Sequence, residues 1–365
     1  MKIDLIAGAR PNFVKIAAII NAIENSEHSI NYRLIHTGQH YDTALSGSFF
    51  KDLELPDPDI NLRAGSGSQA EQTAAIMIAY EKVLEKEKPE LCLVVGDVTS
   101  SMACAITARK MQVKVAHVEA GIRSGDRNMP EELNRVLIDS IADYFFTTTP
   151  EAGEQLLKDG KNNEQVFFVG NTMIDTLLRF KPYFRKPEIW NRLNLKNKNY
   201  LVLTLHRPAN VDEIKKLEQT LIKILEHSGG LPVIFPVHPR TMKILESLNL
   251  PHSQLHLLEP LSYLQFNYLV QHSKAVLTDS GGITEETTVL GIPCLTLRDN
   301  TERPETISQG TNELIGTNPG KIAPHLERLF KGNWKLGSIP EKWDGKTGDR
   351  IINVLRGLDF SFQDK

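Results

Sequence analysis

The chain has 365 residues and a formal net charge of −3 at pH 7, with 41% hydrophobic and 24% charged residues. This length exceeds what one hydrophobic core usually serves, so it predicts a globular protein of two domains. The charge gives no general attraction for nucleic acid or for an anionic membrane, so an anionic ligand would need a local site.

Short apolar runs alternate with longer amphipathic stretches in the first half of the chain. The predicted strands are residues 3–7, 32–36, 91–95, 113–118 and 144–147. A long helix is predicted over residues 69–86, where apolar side chains recur along one face. Because strands buried on both faces are almost continuously apolar, the pattern favours a parallel sheet covered by helices.

The same rhythm restarts after a polar stretch at residues 181–199. The predicted strands of the second half are residues 201–205, 233–237, 255–258, 275–278 and 294–297. We therefore predict an α/β protein with two Rossmann-like, doubly wound parallel-sheet domains and a ligand cleft between them. The expected divisions are residues 1–172, residues 173–345 and a C-terminal segment, residues 346–365, whose helix packs back on the first domain.

Three cysteines, Cys92, Cys104 and Cys294, stand singly in apolar surroundings without the spacing of metal ligands. They predict buried, reduced thiols. The N-terminus turns polar within about ten residues, too soon for a signal peptide, and no apolar run approaches the roughly 18 residues that span a bilayer. The expected location is the cytoplasm, with no membrane partner.

A glycine pair follows a predicted strand and precedes a predicted helix at Ser280, Gly281 and Gly282. Free N–H groups at a helix N-terminus bind phosphate, and Glu286, about one turn further on, is within reach of ribose hydroxyls. Taken alone, the segment is better explained as a capped turn. The charged loop 298–305 follows the next strand and suits anion recognition, although a solvated surface loop has the same composition.

A second glycine turn enters a helix at residues 8–15, with Arg10 at the turn and Lys15 one helical turn later. It lacks the glycine spacing of a dinucleotide fold and the lysine position of a P-loop, which disfavours nicotinamide or ATP. From this segment alone, Lys15 is equally well placed to face a ligand or solvent.

Carboxylates close two other strands, with Asp97 after residues 91–95 and Glu119 after residues 113–118. Strand-end carboxylates and histidines without a cysteine or serine nucleophile motif indicate proton-transfer chemistry. A zinc site is disfavoured because the histidines stand at separate strand ends, without short ligand spacing. These histidines are His36, His40, His117, His206 and His238.

Together these motifs resemble one family, the non-hydrolysing UDP-N-acetylglucosamine (UDP-GlcNAc) 2-epimerases. The matching stretches occur in family order over nearly the whole chain: Gly8-Ala9-Arg10-Pro11 with Lys15, Gly96-Asp97, His117-Val118-Glu119-Ala120-Gly121, Pro130-Glu131-Glu132 with Asn134-Arg135, Gly170-Asn171-Thr172, His206-Arg207, Pro236-Val237-His238, Thr278-Asp279-Ser280-Gly281-Gly282 and Glu302-Arg303-Pro304-Glu305. The resemblance implies a GT-B-like fold, a homodimer, a UDP-sugar substrate, and no NAD, metal or other cofactor. It also implies that a base removes the C2 proton while UDP leaves C1, which gives 2-acetamidoglucal before UDP and the proton return.

The resemblance also implies a role for each matching residue. The catalytic residues would be Asp97, Glu119, Glu131 and His206, with the base on each face of the sugar left open. The substrate and UDP contacts would be Arg10, Lys15, Phe266, Ser280, Gly281, Gly282, Glu286 and Arg303. A second, activating UDP-GlcNAc site would be formed by Gln39, His40, Arg207 and His238.

Four other functions share part of this pattern. A hydrolysing 2-epimerase would release free N-acetylmannosamine and UDP. A 2-epimerase of a modified UDP-hexosamine would be indicated by extra cationic side chains in the sugar pocket. A glycosyltransferase of the same fold would need an acceptor groove and fewer carboxylates. A nucleotide-sugar sensor would have no need for Asp97, Glu119, Glu131 and His206 together.

Overall fold

The computed structural model describes residues 1–26, 30–38, 50–237, 239–246, 248, 253–358 and 360. The chain divides into two compact units. Unit 1 comprises Met1–Arg179 and Glu341–Lys365, and unit 2 comprises Phe180–Pro340. Among the described residues, no helix is long and apolar enough to cross a bilayer.

Unit 1 is built on a parallel sheet. Its strands are β1 (Lys2–Ala7), β2 (Asn31–His36), β3 (Ile60–Asn61), β4 (Leu91–Val95), β5 (Lys114–Val118), β6 (Tyr144–Thr147) and β7 (Val166–Phe168). In the described part of the chain their order is β3-β2-β1-β4-β5-β6-β7. The order reverses between β1 and β4, so the carboxyl ends of these strands are where a site is expected in such a sheet.

Helices cover this sheet. They are α1 (Arg10–Glu24), α2 (Gln69–Lys86), α3 (Thr99–Lys110), α4 (Pro130–Ile141), α5 (Pro150–Lys158) and α6 (Thr172–Phe180). A capping box starts α2, because the Ser68 side chain accepts from the Glu71 N–H while the Glu71 carboxylate accepts from the Ser68 N–H. Helix α3 is almost wholly buried because it packs against both α2 and α4 as well as the sheet.

Unit 2 repeats the architecture. Its strands are β8 (Leu201–Thr204), β9 (Val233–Pro236), β10 (Leu255–Leu258), β11 (Ala275–Thr278), β12 (Cys294–Thr296) and β13 (Asn312–Leu314). Its helices are α7 (Glu188–Arg192), α8 (Pro208–Val211), α9 (Ile214–Glu226), α10 (Pro239–Glu246), α11 (Tyr263–His272), α12 (Gly281–Leu290), α13 (Pro304–Ser308) and α14 (Ile322–Phe330). Over the described residues its parallel sheet has the order β10-β9-β8-β11-β12-β13.

The end of the chain belongs to unit 1. Its helix, α15 (Thr347–Leu355), packs against α1. Close approach requires Gly348, because a Cβ there would lie 2.7 Å from the carbonyl oxygen of Ala18. Trp343 is buried just before α15 and donates its indole N–H to the Thr148 carbonyl at 3.2 Å. The predicted fold class of two doubly wound α/β domains is confirmed.

Candidate active site

Helix α1 carries two polar side chains to the carboxyl ends of the central strands in unit 1. Asn12 accepts from the Ala9 N–H at 3.1 Å and donates to the Val95 carbonyl at 2.7 Å, so it ties the start of α1 to the end of β4. Lys15 extends from the next turn, and its Nζ lies 2.5 Å from Oε2 of Glu119. Both side chains are buried, so the two opposite charges stabilise each other away from bulk solvent.

Glu119 stands on a strained turn after β5. Its φ is +71°, a conformation that is costly for a residue with a side chain. Backbone hydrogen bonds hold the turn: Glu119 and Ala120 donate to the Phe146 carbonyl at 3.0 and 3.1 Å, and Gly121 donates to Oδ2 of Asp139 at 3.1 Å. Such strain concentrates at functional sites, which supports the predicted importance of Glu119.

Asp97, two residues after the end of β4, is held by helix α4. The Arg135 guanidinium pairs with the Asp97 carboxylate, and Asn134 donates its side-chain N–H to the Asp97 carbonyl at 2.8 Å. Arg135 also lies 2.7 Å from Glu132, so one buried cation connects two carboxylates. Asp97 itself keeps 27% of its side chain exposed, which leaves room for contact with a ligand.

Glu132 fixes the loop that precedes α4. Its carboxylate accepts from the backbone N–H groups of Ser124 and Gly125 at 2.9 and 3.0 Å. Although burial opposes ionisation, these hydrogen bonds and that from Arg135 hold the pKa of Glu132 below its ordinary value. By contrast, Glu131 is exposed in the first turn of α4.

The polarity of α4 is reversed relative to an ordinary surface helix. Its buried polar side chains are Glu132, Asn134, Arg135 and Asp139, whereas Leu133, Val136 and Leu137 are 44–50% exposed. Buried charges are rare unless they are paired, and here they form a network behind Asp97 and Glu119. The buried face of α4 therefore holds mainly polar groups at the strand ends, and Ile138 is its one fully buried apolar side chain among the residues described.

In unit 2, the fully buried carboxylate of Asp279 organises the end of β8. It accepts from the backbone N–H groups of His206 at 3.1 Å and Arg207 at 2.9 Å, and from the side chain of Asn210 at 3.0 Å. These bonds hold the residues between β8 and α8 against Asp279, which follows the neighbouring strand β11. The His206 residue is exposed, and its backbone position is set by Asp279.

Two arginines, Arg298 and Arg207, lie close to the N-terminus of α12. Ser280 is the N-cap of α12, yet within the described residues its hydroxyl makes no capping bond to the helix. A Cβ on Gly281 would lie 2.8 Å from Oε1 of Glu302 and 3.9 Å from Nη1 of Arg298. Arg298 donates to Glu302 at 2.6 Å, and Nη2 of Arg207 lies 3.7 Å from the same carboxylate. Arginines beside a helix N-terminus form an environment that favours a phosphate.

Glu286 lies one turn into α12 and is buried. Tyr263 on α11 donates its hydroxyl to Oε1 of Glu286 at 2.8 Å, and Asn267 lies 3.5 Å from the same oxygen. Burial raises the pKa of Glu286 to about 7 despite these two hydrogen bonds. Phe266 is half-buried on the same helix, so α11 brings an aromatic ring and the partners of Glu286 together.

Arg303 forms a buried ion pair instead of pointing into open space. Its Nε lies 2.8 Å from Oε1 of Glu285, and both side chains are at least nine-tenths buried. Gly282 follows Gly281 in the first turn of α12.

Among the described residues, no group of three or more histidine, cysteine, aspartate or glutamate side chains is arranged to hold a metal ion.

Four of the predicted site residues lie wholly or partly outside the described part of the chain. Gln39, His40 and His238 lie outside it entirely. Arg10 begins α1, but its side chain is likewise outside the described part.

Three residues of the site were given no role of their own from the sequence. Arg135 and Asp279 were noted only as parts of longer motifs, and Tyr263 was not noted. The spacing of Glu132, Arg135 and Asp139 on one face of α4 was a signal for the first of them, because charges that share a helix face with each other can form a buried network.

Comparisons with known proteins show the family to which this chain is similar. The family model for UDP-N-acetylglucosamine 2-epimerase matches residues 21–356. A UDP-N-acetylglucosamine 2-epimerase of Methanocaldococcus jannaschii is 42% identical over 370 residues, which cover 97% of this chain and 99% of that protein.

Solved structures give the same result. The crystal structure of the UDP-GlcNAc 2-epimerase of Methanocaldococcus jannaschii in complex with UDP-GlcNAc and UDP has a TM-score of 0.88 at 42% identity, over 98% of this chain and 100% of that one. A lipopolysaccharide outer core galactosyltransferase has a TM-score of 0.54 at 15% identity, over 98% of this chain and 99% of that one. The second likeness concerns the fold alone.

Proposed function

Because the chain belongs to the UDP-N-acetylglucosamine 2-epimerase family, a family of isomerases, we propose that it interconverts UDP-GlcNAc and UDP-N-acetylmannosamine (UDP-ManNAc). The reaction eliminates UDP to give 2-acetamidoglucal and then adds UDP back with the C2 proton on the other face. The observation that carries this proposal is that Asp97 and Glu119 stand at neighbouring strand ends, each bonded to a buried cation.

The elimination requires assistance at two carbon atoms of the sugar: at C2, where the proton is removed, and at C1, where UDP leaves. The C2 proton has no adjacent carbonyl group to acidify it, so its removal depends on departure of the UDP anion. We assign proton transfer at C2 to Asp97, Glu119 and Glu131, since carboxylates are competent general bases when positioned against the proton. The buried Lys15 holds Glu119 in place, in addition to the diphosphate contact that the family resemblance implies for this lysine.

The nucleotide side of the reaction is assigned to unit 2. The N-terminus of α12 and Arg298 would bind the diphosphate, and His206 would supply a proton or charge to the departing UDP. Glu286 would accept hydrogen bonds from ribose hydroxyls, and Phe266 would contact uracil. The buried Arg303–Glu285 pair supports a role for Arg303 in shaping the sugar site.

We also propose that the protein is a homodimer and that the second copy covers the exposed face of α4. Leu133, Val136 and Leu137 are 44–50% exposed on this face, and contiguous exposed apolar side chains mark interaction surfaces. Leu137→Lys should lower the mass found by sedimentation to that of a monomer. A monomeric wild-type protein, or an unchanged dimer in Leu137→Lys, would contradict the proposal.

The reaction proposal is tested by incubating the purified protein with UDP-GlcNAc and identifying the products by NMR. UDP-ManNAc in equilibrium with the substrate is expected. Free N-acetylmannosamine with an equal amount of UDP would instead identify a hydrolysing 2-epimerase. A sigmoidal dependence of rate on UDP-GlcNAc would support the activating site proposed at Gln39, His40, Arg207 and His238.

We place the enzyme in the cytoplasm, where its product would supply surface polysaccharide or glycoconjugate synthesis.

A further inference from the structure

Glu286 on α12 is a buried carboxyl group held by neutral side chains. It is only 5% exposed, and within the described part of the chain it forms no ion pair. Its neighbour Glu285, by contrast, pairs with Arg303 at 2.8 Å. Burial of a carboxyl group without a cation is unfavourable, and an apolar side chain would fill the same space at lower cost. Packing alone therefore does not explain a carboxyl group at this position.

The protein holds this carboxyl group by one of its two oxygens. Tyr263 donates its hydroxyl to Oε1 at 2.8 Å, and the side-chain amide of Asn267 lies 3.5 Å from the same oxygen. Among the residues that the structure describes, Oε2 of Glu286 takes part in no hydrogen bond. Each carboxyl oxygen can take part in more than one hydrogen bond. Oε2 is therefore the oxygen that remains for a hydroxyl group of a ligand.

The contact from Tyr263 has a fixed origin. Tyr263 and Asn267 stand four residues apart on α11, so they share one face of this helix, and both are buried. The last torsion of a glutamate side chain is otherwise broad, because rotation about its final bond meets only low barriers. A hydroxyl on a buried, rigid ring restricts this rotation. Tyr263 therefore determines where Oε2 of Glu286 lies.

The elements around Glu286 correspond to the two ends of a nucleotide. Phe266, the proposed contact of uracil, is half-buried on α11 between Tyr263 and Asn267. The N-terminus of α12, the proposed site of the diphosphate, begins the helix that carries Glu286. In UDP the ribose joins the base to the diphosphate. A carboxyl oxygen on α12 that faces α11 is therefore suitably placed for the ribose hydroxyls.

We propose that Tyr263 is a positioning residue that sets the nucleotide specificity of the site. By holding Oε1 of Glu286, it directs Oε2 to the ribose hydroxyls and makes the protein select ribonucleotides over deoxyribonucleotides. Tyr263 itself does not touch the nucleotide. This role rests on the proposed UDP site in unit 2 and does not depend on the epimerase reaction.

Calorimetric titration of the full-length protein with UDP, 2′-deoxy-UDP and 3′-deoxy-UDP tests the proposal. The Kd of a deoxynucleotide divided by the Kd of UDP is called the deoxy ratio. In the wild type, the deoxy ratio should be about 10 to 100 for the hydroxyl that Oε2 bonds. Tyr263→Phe keeps the ring and removes the hydroxyl, so the carboxyl group can rotate. Its deoxy ratio should be at least about threefold smaller than that of the wild type.

Tyr200→Phe is the matched control. Tyr200 is also buried in unit 2, and its hydroxyl donates to the Leu269 carbonyl of α11 at 2.6 Å. This variant therefore removes a buried hydroxyl bonded to the same helix, and its deoxy ratio should equal that of the wild type. An unchanged deoxy ratio in Tyr263→Phe would overturn the proposal. An equal decrease in both variants would also overturn it, because loosening of α11 would then be the cause.

A double variant shows whether Tyr263 acts through Glu286. Added to Glu286→Gln, the substitution Tyr263→Phe should change the deoxy ratio less than it does in the wild type. A full decrease in the Glu286→Gln background would overturn the proposal. Equal affinity of the wild type for all three nucleotides would overturn it together with the ribose assignment. A wild-type protein with the expected deoxy ratio but without epimerase activity would support the role of Tyr263 and contradict only the proposed reaction.

Discussion

The Nζ of Lys15 lies 2.5 Å from Oε2 of Glu119, and neither side chain is more than 9% exposed. The two residues are far apart in sequence and are brought together by the adjacency of β1, β4 and β5. This ion pair joins the first helix of the chain to the strained turn after β5. Loss of either partner would leave the other charge buried.

Removing Lys15 should destabilise the protein. Lys15→Met leaves the Glu119 carboxylate buried without its cation, and losing one partner of a buried pair costs about 3–5 kcal/mol. Urea denaturation should show this loss in the free energy of unfolding. The double variant Lys15→Met with Glu119→Gln should recover part of it, because the uncompensated charge is gone; a double variant less stable than Lys15→Met would contradict this explanation.

Glu131 should be required for catalysis even though it is exposed. Glu131→Gln keeps the size of the side chain but cannot take up a proton, so kcat should fall by about 100-fold, as expected for loss of a general acid or base. Glu151→Gln is a matched control, because Glu151 is also the second residue of a helix that begins with proline. If kcat were the same for the two variants, Glu131 would have no catalytic role and would only interact favourably with the helix dipole.

Glu286 should make stability depend on pH. Its pKa is raised in the folded protein from 4.5 to about 7, so between these values the folded state binds more protons than the unfolded state. The contribution of Glu286 to the free energy of unfolding is therefore present below about pH 4.5 and is lost as pH rises to about 7. The shift corresponds to about 3 kcal/mol.

The comparison of wild type with Glu286→Gln isolates this effect. Glutamine keeps the shape of the side chain and has no titratable proton. The difference in free energy of unfolding between the two proteins, measured by urea denaturation at about pH 5 and about pH 8, should change in favour of Glu286→Gln at the higher pH. A difference that is independent of pH would show that Glu286 titrates normally.

Gly121 should not tolerate a side chain. Its φ is +80°, and a Cβ there would overlap the carbonyl oxygen of Ala152. Gly121→Ala should therefore cost much more than the roughly 1–2 kcal/mol of left-handed backbone strain. Gly160→Ala provides the control, since Gly160 has a φ of +85° and a Cβ there would have no other atom within 4 Å. Equal loss of thermal stability in both variants would mean that Ala152 moves aside without cost.

Several strands of four or five residues were predicted with exact bounds from the sequence, whereas three shorter ones were missed. Residues 91–95, 144–147, 255–258 and 275–278 were predicted with the bounds that the structure has. The missed strands, β3, β7 and β13, have two or three residues each and lie at sheet edges. A strand of two or three residues gives an apolar run too short to stand out. Edge position alone does not explain the misses, because β10 also lies at an edge and was predicted.

The family was also predicted correctly from the order of the motifs, and the comparisons confirm it. The partners of the site residues were harder to predict, because they depend on which side chains the sheet brings together. Lys15 was expected at the diphosphate, and in the structure it bonds to Glu119. Arg303 was expected at the sugar, and in the structure it pairs with Glu285. Neither the Lys15–Glu119 pair nor the Arg303–Glu285 pair can be predicted from the spacing of residues along the chain.

Reversible removal of the proton at C2 is the core of the proposed reaction, and isotope exchange detects it. The protein is incubated with UDP-GlcNAc in D2O, and the C2 and anomeric protons of the sugars are followed by NMR. We predict UDP-ManNAc with deuterium at C2 of both sugars, since each passage through the glycal exchanges the proton with solvent. UDP-GlcNAc that stays unchanged and free of deuterium at high concentration would contradict the proposed reaction.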